Sequence, residues 1–369
     1  MLKSVGLWPK GDESYGRNLY TLYAIVMVAG LQYTHVFFQT VNLYFVKDDL
    51  KAVTGTIFIL LTDIGASLKI YCLMKNMKML KQLIITLNCD LFQPKNLHQR
   101  KLIQPNLNSW TMFFWVFWIL ALGCLFFWSL FPILDRTVKD YRLPFLAWYP
   151  FDYRKTPTYQ MAYVHQILGI TFTAISNDNI DNLIAILNMY IGAQFDILCD
   201  NLKNIFDKDA PADTDKKLKG CVHHHKEIFK FAEEANTFYN WLLFVQFFVG
   251  GISLGLAMFQ LTVVVPFSRE FYSFVIYENA VLVEVFMYCW FGNETEVKSS
   301  KVPYAVFESD WTGLSPDIKK NLVIFVSRVR RPLQISTFGL FFLSLETFVR
   351  ILRTAWSYIA LLRQVNSPQ

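Results

Sequence analysis

The polar residues best placed to do chemistry lie along one face of the last apolar segment. At alternating spacings of three and four residues, which keep one face of a helix in view, stand Thr347, Arg350, Thr354, Ser357, Leu361 and Gln364. All but Leu361 are polar, and polar side chains at bilayer depth face protein or a water-filled path rather than lipid. The stripe could therefore line an ion-conducting path or pack against other helices.

The two interpretations of this stripe make different use of its residues. If several copies surround an axis, the stripe lines a wet path, and Leu361 forms an apolar ring that closes it by dewetting. If the stripe packs against helices of the same chain, Arg350 and Arg353 pair with Glu346, four and seven residues away. Periodicity alone favours neither.

The composition is typical of a membrane protein. Of 369 residues, 54% are hydrophobic and only 17% are charged. The net charge of +6 fits membrane topology, because no basic stretch interleaved with aromatic residues suggests a nucleic-acid partner. The six cysteines have no paired spacing, so we interpret them as small buried side chains without a disulfide or metal role.

Seven apolar segments are long enough to cross a bilayer, which predicts an all-α, polytopic membrane protein. They cover residues 18–46, 52–73, 110–134, 159–190, 235–266, 271–291 and 341–365. The loops that would share one side with the N-terminus hold nearly three times as many Lys and Arg residues as the others. By the positive-inside rule, the N-terminus is cytoplasmic and the C-terminus extracellular.

Two segments are longer than a membrane requires. Residues 159–205 and 216–262 contain no proline, and each would extend about 70 Å as one helix, against about 30 Å of hydrocarbon. The surplus predicts a cytoplasmic anchor bundle of helices from about residues 191–234 and 292–340. We expect a mobile connection at Phe206–Lys217, which is rich in Asp and contains Pro211.

Three local motifs favour structural over catalytic roles. Gly251, Ser253 and Gly255 match a serine hydrolase pattern, but they stand in an uncharged run that suits close helix packing. The run His223–His225 has no ligand pair at helical spacing, so it predicts a solvated helix face and no metal site. With no catalytic residues and no cofactor motif, an enzyme has no support.

One acid within the sixth segment is harder to classify. Glu284 lies near the middle of that segment, at a depth where a carboxylate is either functional or paired with a base. Lys69 in the second segment is the candidate partner.

Several motifs, in order along the chain, resemble one family. The C-terminal SYIALLRQV is similar to the TY-x5-QF signature of insect gustatory and odorant receptors, with Ser357 for Thr and Val365 for Phe. Gly6–Pro9, Leu143–Asp152, Tyr288–Glu294 and Pro332–Tyr358 resemble the odorant branch. The resemblance covers nearly the whole chain, which is identified as a member of the insect odorant receptor family.

The resemblance implies an odour-specific subunit of a ligand-gated cation channel in the plasma membrane of olfactory neurons. In that family, a heterotetramer with co-receptor subunits surrounds a pore built from the seventh helices. Leu361, Gln364 and Val365 then fall where the pore narrows. The partners would be the co-receptor, a small volatile ligand, the bilayer and permeating cations.

The resemblance also implies a ligand site in the outer half of the bundle, between the second, third, fourth and sixth helices. The side chains expected there are Phe58, Thr62, Phe127, Trp128, Phe131, Tyr163, Gln166, Ile167, Ile170, Phe274 and Tyr277. Trp148 and Tyr149 are expected to cover the site from outside. Such an aromatic site suits a small volatile molecule.

Two other receptor types compete with this interpretation. A gustatory-type channel would form from this chain alone. A seven-helix receptor coupled to G proteins would need the opposite orientation, and the chain lacks the DRY and NPxxY patterns of that class.

Overall fold

The protein is a bundle of long α-helices. The computed structural model describes residues 1–11, 15–134, 136–205 and 211–366. Within these ranges the helices are α1 (Leu19–Met27), α2 (Thr34–Val46), α3 (Leu50–Lys75), α4 (Met77–Leu87), α5 (Leu97–Leu134), α6 (Thr158–Lys203), α7 (Pro211–Val263), α8 (Arg269–Ser300), α9 (Val302–Phe307), α10 (Pro316–Val329) and α11 (Leu345–Asn366). A π-helical turn, Val28–Tyr33, joins α1 to α2.

Six helical stretches among the described residues are long and apolar enough to cross a membrane. They are Leu19–Val46, Ala52–Lys75, Leu97–Leu130, Thr158–Lys203, Thr214–Val263 and Phe271–Phe307. The seventh predicted segment is helical as α11 but is not among them, because Glu346, Arg350 and Arg353 fall within its first three turns.

The predicted start of that last helix was wrong. Phe341 and Phe342 form a short strand, β2, which pairs antiparallel with β1 (Ser336–Thr337). The helix begins only at Leu345. The two phenylalanines are as apolar as the residues of a membrane helix, but their backbone pairs with β1 in the hairpin.

The two longest helices are unbroken, as the absence of proline predicted. α6 has 46 residues and α7 has 53, which corresponds to about 69 Å and 80 Å of helix. The predicted mobile connection lies partly outside the described residues, at 206–210. Its remainder was mispredicted, because α7 begins at Pro211 and includes Lys217.

A large buried cluster lies where α4, α9 and α10 pack against the ends of α6, α7 and α8. Phe195, Ile228, Phe231, Val302 and Phe325 are among its buried members. Helix α10 joins it through one apolar face, with Leu322, Phe325 and Val329 buried at helical spacing. We call this group of side chains the end cluster.

Gly292 allows α8 to lie against Leu343, two residues before the start of α11. A Cβ atom at Gly292 would lie 2.3 Å from Leu343 Cβ and 2.5 Å from the Leu343 carbonyl oxygen. Any other residue would therefore push the two segments apart. Phe348 on α11 also packs its ring against Phe286 of α8, with ring centres 5.1 Å apart.

Candidate functional site

A cavity of about 300 Å³ opens at the end of the bundle that carries the loop between α5 and α6. We call it the loop cavity. Its walls come from α2, α3, α5, α7, α8 and the loop residues Arg142–Leu146. Gln260 of α7 donates from Nε2 to Thr54 Oγ1 on α3, at 2.6 Å, and so ties two of these walls together.

Aromatic rings close the deep side of the loop cavity. The Phe58 ring centre lies 5.2 Å from that of Phe274 and 5.3 Å from that of Tyr277. Trp128 is 5.5 Å from both Tyr277 and Phe145. Such a cage of rings binds apolar molecules through contact area and ring geometry.

A second, smaller cavity of about 90 Å³ lies beyond these rings, between α3, α5, α6 and α8. We call it the inner cavity. Ile59 and Trp128 border both cavities and form the partition between them. On the inner wall, the Thr62 and Tyr277 hydroxyls form a hydrogen bond of 2.6 Å.

Six of the predicted ligand-contacting residues lie on the walls of these cavities. Phe58, Trp128 and Phe274 border the loop cavity. Thr62, Ile170 and Tyr277, again with Trp128, border the inner cavity.

The other predicted contacts lie elsewhere. Gln166 is buried, and its amide accepts from Phe145 N–H and donates to Phe145 C=O, both at 3.0 Å, so it holds the loop instead of facing a cavity. The Tyr163 hydroxyl donates to the Ser129 carbonyl. Phe127 and Ile167 are half-buried and border neither cavity among the described residues. The side chain of Phe131 lies outside the described residues.

The two residues expected to cover the site, Trp148 and Tyr149, border neither cavity among the described residues. Trp148 donates its backbone N–H to Phe38 C=O at 3.1 Å, and its ring stacks on that of Phe45. The Tyr149 ring centre lies 4.8 Å from that of Phe38. Both residues fasten the loop to α2. The cover is instead the preceding segment, Arg142–Leu146, which sequence reasoning missed because Gln166 sets the path of the loop.

A buried ionic network joins α3, α6 and α8 beside the inner cavity. The Lys69 ammonium donates to Asp181 Oδ1 at 2.6 Å, to Glu284 Oε1 at 3.0 Å and to Asn177 Oδ1 at 2.9 Å. The Tyr288 hydroxyl also donates to Asp181. The predicted pairing of Glu284 with Lys69 is confirmed. The sequence did not predict that Asp181 joins this network. Which side of a long helix such as α6 a carboxylate faces can be decided only when the neighbouring helices are known.

The polar stripe of α11 lies open in the single chain. Arg350, Thr354 and Ser357 are exposed, and the Arg350 side chain keeps 69% of its surface accessible while pairing with Glu346 at 3.0 Å. Thr347 is the exception, because it is buried with its hydroxyl 3.2 Å from that of Ser344. Leu361, Gln364 and Val365 belong to α11, but their side chains lie outside the described residues.

A groove of about 650 Å³ separates this face of α11 from α7. Thr347, Arg350 and Thr354 border it from α11, and Gly251 and Gly255 border it from α7. A Cβ atom at either glycine would meet no described atom within 4 Å. The predicted close helix contact at these glycines is therefore wrong within this chain.

The histidine run is not the solvated face that was predicted. Only His223 is exposed, whereas His224 is buried with Nε2 3.1 Å from Gln194 Oε1. His225 packs its ring 4.7 Å from Phe229 and 5.6 Å from Phe325. Two of the three histidines thus belong to the end cluster or its edge.

Comparison with known proteins gives a consistent result. The 7tm odorant receptor family model matches residues 49–356. Odorant receptor Or1 of Anopheles gambiae is 25% identical over 99% of this chain and 94% of its own length. Odorant receptor 46a, isoform A, of Drosophila melanogaster is 22% identical over the full length of both chains.

The fold is shared with a solved structure. The insect olfactory receptor OR5 from Machilis hrabei, solved in complex with eugenol, superimposes with a TM-score of 0.86 at 17% identity. The match covers 99% of this chain and 96% of that one. With the family match spanning most of the sequence, this chain belongs to the insect odorant receptor family.

Proposed function

We propose that this chain is the odour-specific subunit of a heteromeric cation channel, opened by a small volatile molecule in the loop cavity. The observation that carries the proposal is the open polar face of α11. A helix of 22 residues, long enough to cross a bilayer, leaves Arg350, Thr354 and Ser357 without cover from its own chain. At membrane depth such a face needs protein partners or water.

Part of this function follows directly from family membership. The protein is a ligand-binding chemoreceptor with several membrane-crossing helices, and not an enzyme. The cation channel, its subunit composition and its gating mechanism are proposals.

The proposed orientation follows from the charge bias. The N-terminus faces the cytoplasm, and residues 191–234 and 292–340 form the cytoplasmic anchor in the plasma-membrane receptor. The end cluster supports an anchor, since Val302, Leu322 and Phe325, which lie outside the predicted membrane segments, are buried in it against the long helices. The loop cavity then opens towards the outside, where volatile molecules arrive.

Helix α8 links the loop cavity to α11. It carries Phe274 on the cavity wall, and further along the same helix Phe286 and Gly292 touch α11 and the hairpin before it. A ligand that fits better when α8 has shifted stabilises the shifted state by the difference in its affinities. Because α8 is one continuous helix, that shift reaches α11.

The proposed pore is built from the α11 stripe. Arg350, Thr354 and Ser357 face the conduction path, Leu361 forms its apolar ring, and Gln364 and Val365 lie at its narrow end. Co-receptor subunits contribute the remaining copies of the ring. Substitution of Leu361 in this chain alone therefore changes gating only in part.

The test is whole-cell current from cells that express this chain alone or with an insect co-receptor, during a panel of volatile molecules and with G-protein signalling blocked. The proposal expects odour-evoked cation current only with the co-receptor and unchanged by the block. Current from the chain alone would indicate a homomeric channel. Current that the block abolishes would contradict the channel altogether.

A further inference from the structure

Two acidic side chains that border the inner cavity each have one oxygen without a hydrogen-bond partner among the described residues. Asp178 on α6 borders the cavity and is 3% exposed, and its Oδ2 atom has no hydrogen-bond partner among the described residues. Across the cavity on α3, Asp63 is fully buried, and its Oδ1 is likewise without a partner there.

The nearby cation has no donor left for either oxygen. A lysine ammonium has three N–H donors, and those of Lys69 go to Asn177, Asp181 and Glu284. The Gln39 amide donates to the other oxygen of Asp63, Oδ2, at 3.1 Å, and His35 Nε2 lies 3.5 Å from that same atom. The two oxygens thus have no hydrogen-bond partner among the described residues, although both side chains border a cavity.

The rest of the inner cavity is mainly apolar. Apart from the polar groups near Asp178, its wall is made of side chains such as Ile59, Cys124, Leu125, Ile170 and Val281. Leaving a buried carboxyl oxygen without a donor in such surroundings costs free energy, and a ligand that brings a donor recovers it. A molecule that donates a hydrogen bond should therefore fit this cavity better than one that only accepts.

We propose that the inner cavity binds the polar end of a small ligand, a hydroxyl or ammonium group that donates a hydrogen bond to Asp178. The apolar body of the ligand lies against Trp128, which borders both cavities, and extends towards the loop cavity. This names the ligand class and rests on the proposed function, since it assumes that the receptor takes a small volatile molecule.

The test compares four probes of similar size and shape. Cyclohexanol and cyclohexylamine donate a hydrogen bond, cyclohexanone only accepts one, and methylcyclohexane does neither. Dissociation constants are measured by ligand-observed NMR on the purified full-length chain in lipid nanodiscs. Because a hydrogen bond to an acidic group is worth at least one factor of ten, the two donors should bind about tenfold tighter or more.

Two variants identify the residue. Asp178→Leu keeps a branched side chain of similar size and removes the acceptor, so it should abolish the preference for donors. Asp152→Leu removes an exposed loop carboxylate and should leave the preference intact. If Asp178→Leu does not fold, Ala121→Leu narrows the inner cavity from α5 and should weaken binding of the two donors most.

Several outcomes would overturn the proposal. They are equal binding of all four probes, tightest binding of cyclohexanone, and a donor preference that survives in a folded Asp178→Leu chain. If Asp178→Leu does not fold, unchanged binding of the two donors to Ala121→Leu would also overturn it. Because binding is measured without current, a receptor that binds donors but passes no odour-evoked current would contradict the channel and leave this assignment standing.

Discussion

At the scale of single residues, Gln166 shows how one side chain can shape a site without facing it. Its amide makes both hydrogen bonds that the Phe145 backbone offers, and Phe145 packs on Trp128 in the wall of the loop cavity. The cover of the cavity therefore depends on a residue behind it.

Replacing Gln166 by Leu should loosen this cover. Two buried backbone groups of Phe145 lose their partner, which costs about 1–3 kcal/mol each. We expect a higher half-maximal concentration for every activating odorant, measured as dose-response curves of current in cells matched for surface expression. Gln104→Leu, an exposed glutamine on α5, is the matched control. Unaltered curves for Gln166→Leu would show that the loop is held by other contacts.

Lys69 is a second residue with effects beyond its own position. Replacing it by Met leaves Asp181 and Glu284 buried without their cation, and breaking a buried pair costs about 3–5 kcal/mol. We expect a lower midpoint of thermal unfolding and little protein at the cell surface.

The matched control for Lys69 is Lys203→Met. Lys203 pairs with Glu308, but both side chains are about half exposed, so water replaces the lost partner. The unfolding midpoint of this variant should hardly change. Similar losses in both variants would mean that burial does not set the strength of these pairs.

At the scale of elements, α8 is the connection between the cavities and α11. Its contact with Leu343 leaves no room for a side chain at Gly292. Leu343 lies between the end of the hairpin at Phe342 and the start of α11 at Leu345.

Gly292→Ala should therefore uncouple binding from opening. The new methyl group would lie 2.3 Å from Leu343 Cβ, so the hairpin and the start of α11 must move. We expect a smaller maximal current and an almost unchanged probe affinity on the purified chain. Gly220→Ala is the control, because its Cβ meets no described atom within 4 Å and alanine favours a helix. Full current in Gly292→Ala would exclude this route.

At the scale of the whole molecule, N-glycosylation can report the orientation of the chain in the membrane, because only sequons on the outer side are glycosylated. The natural sequon at Asn293 is a poor reporter, because Thr295 is fully buried and donates its hydroxyl to Asn188 C=O. Exposed sequons at the two ends of the bundle are needed instead.

Two sets of substitutions supply them. Asp152→Asn with Arg154→Thr places a sequon in the loop between α5 and α6, and Val323→Thr completes one at Asn321 on α10. Since the loop is expected outside, only the first variant should gain a glycan, seen as a mass shift that glycosidase removes. A glycan on Asn321 alone would reverse the proposed orientation.

Most of this architecture follows from apolar length, and the site follows only in part. The length of α6 and α7 was predictable because residues 159–205 and 216–262 contain no proline that would break a helix. The family resemblance implied a site between four helices, and the faces of those helices then predicted Phe58, Trp128 and Phe274, which border the loop cavity. Phe145 was not predicted, because a loop path depends on one distant hydrogen-bonding side chain. The predicted helix contact at Gly251 and Gly255 failed for a similar reason, since a pattern of small residues does not specify which element packs against them.

The Lys69 network has a consequence for biosynthesis. Lys69 lies 112 residues before Asp181 and 215 before Glu284 in the chain. At about 5–20 residues per second, the ribosome adds these partners about 6–22 s and 11–43 s after Lys69. During that interval α3 carries an unpaired cation, so we expect it to wait at the translocon or at the lipid headgroups. Final assembly of the bundle is thus delayed until α8 has been made.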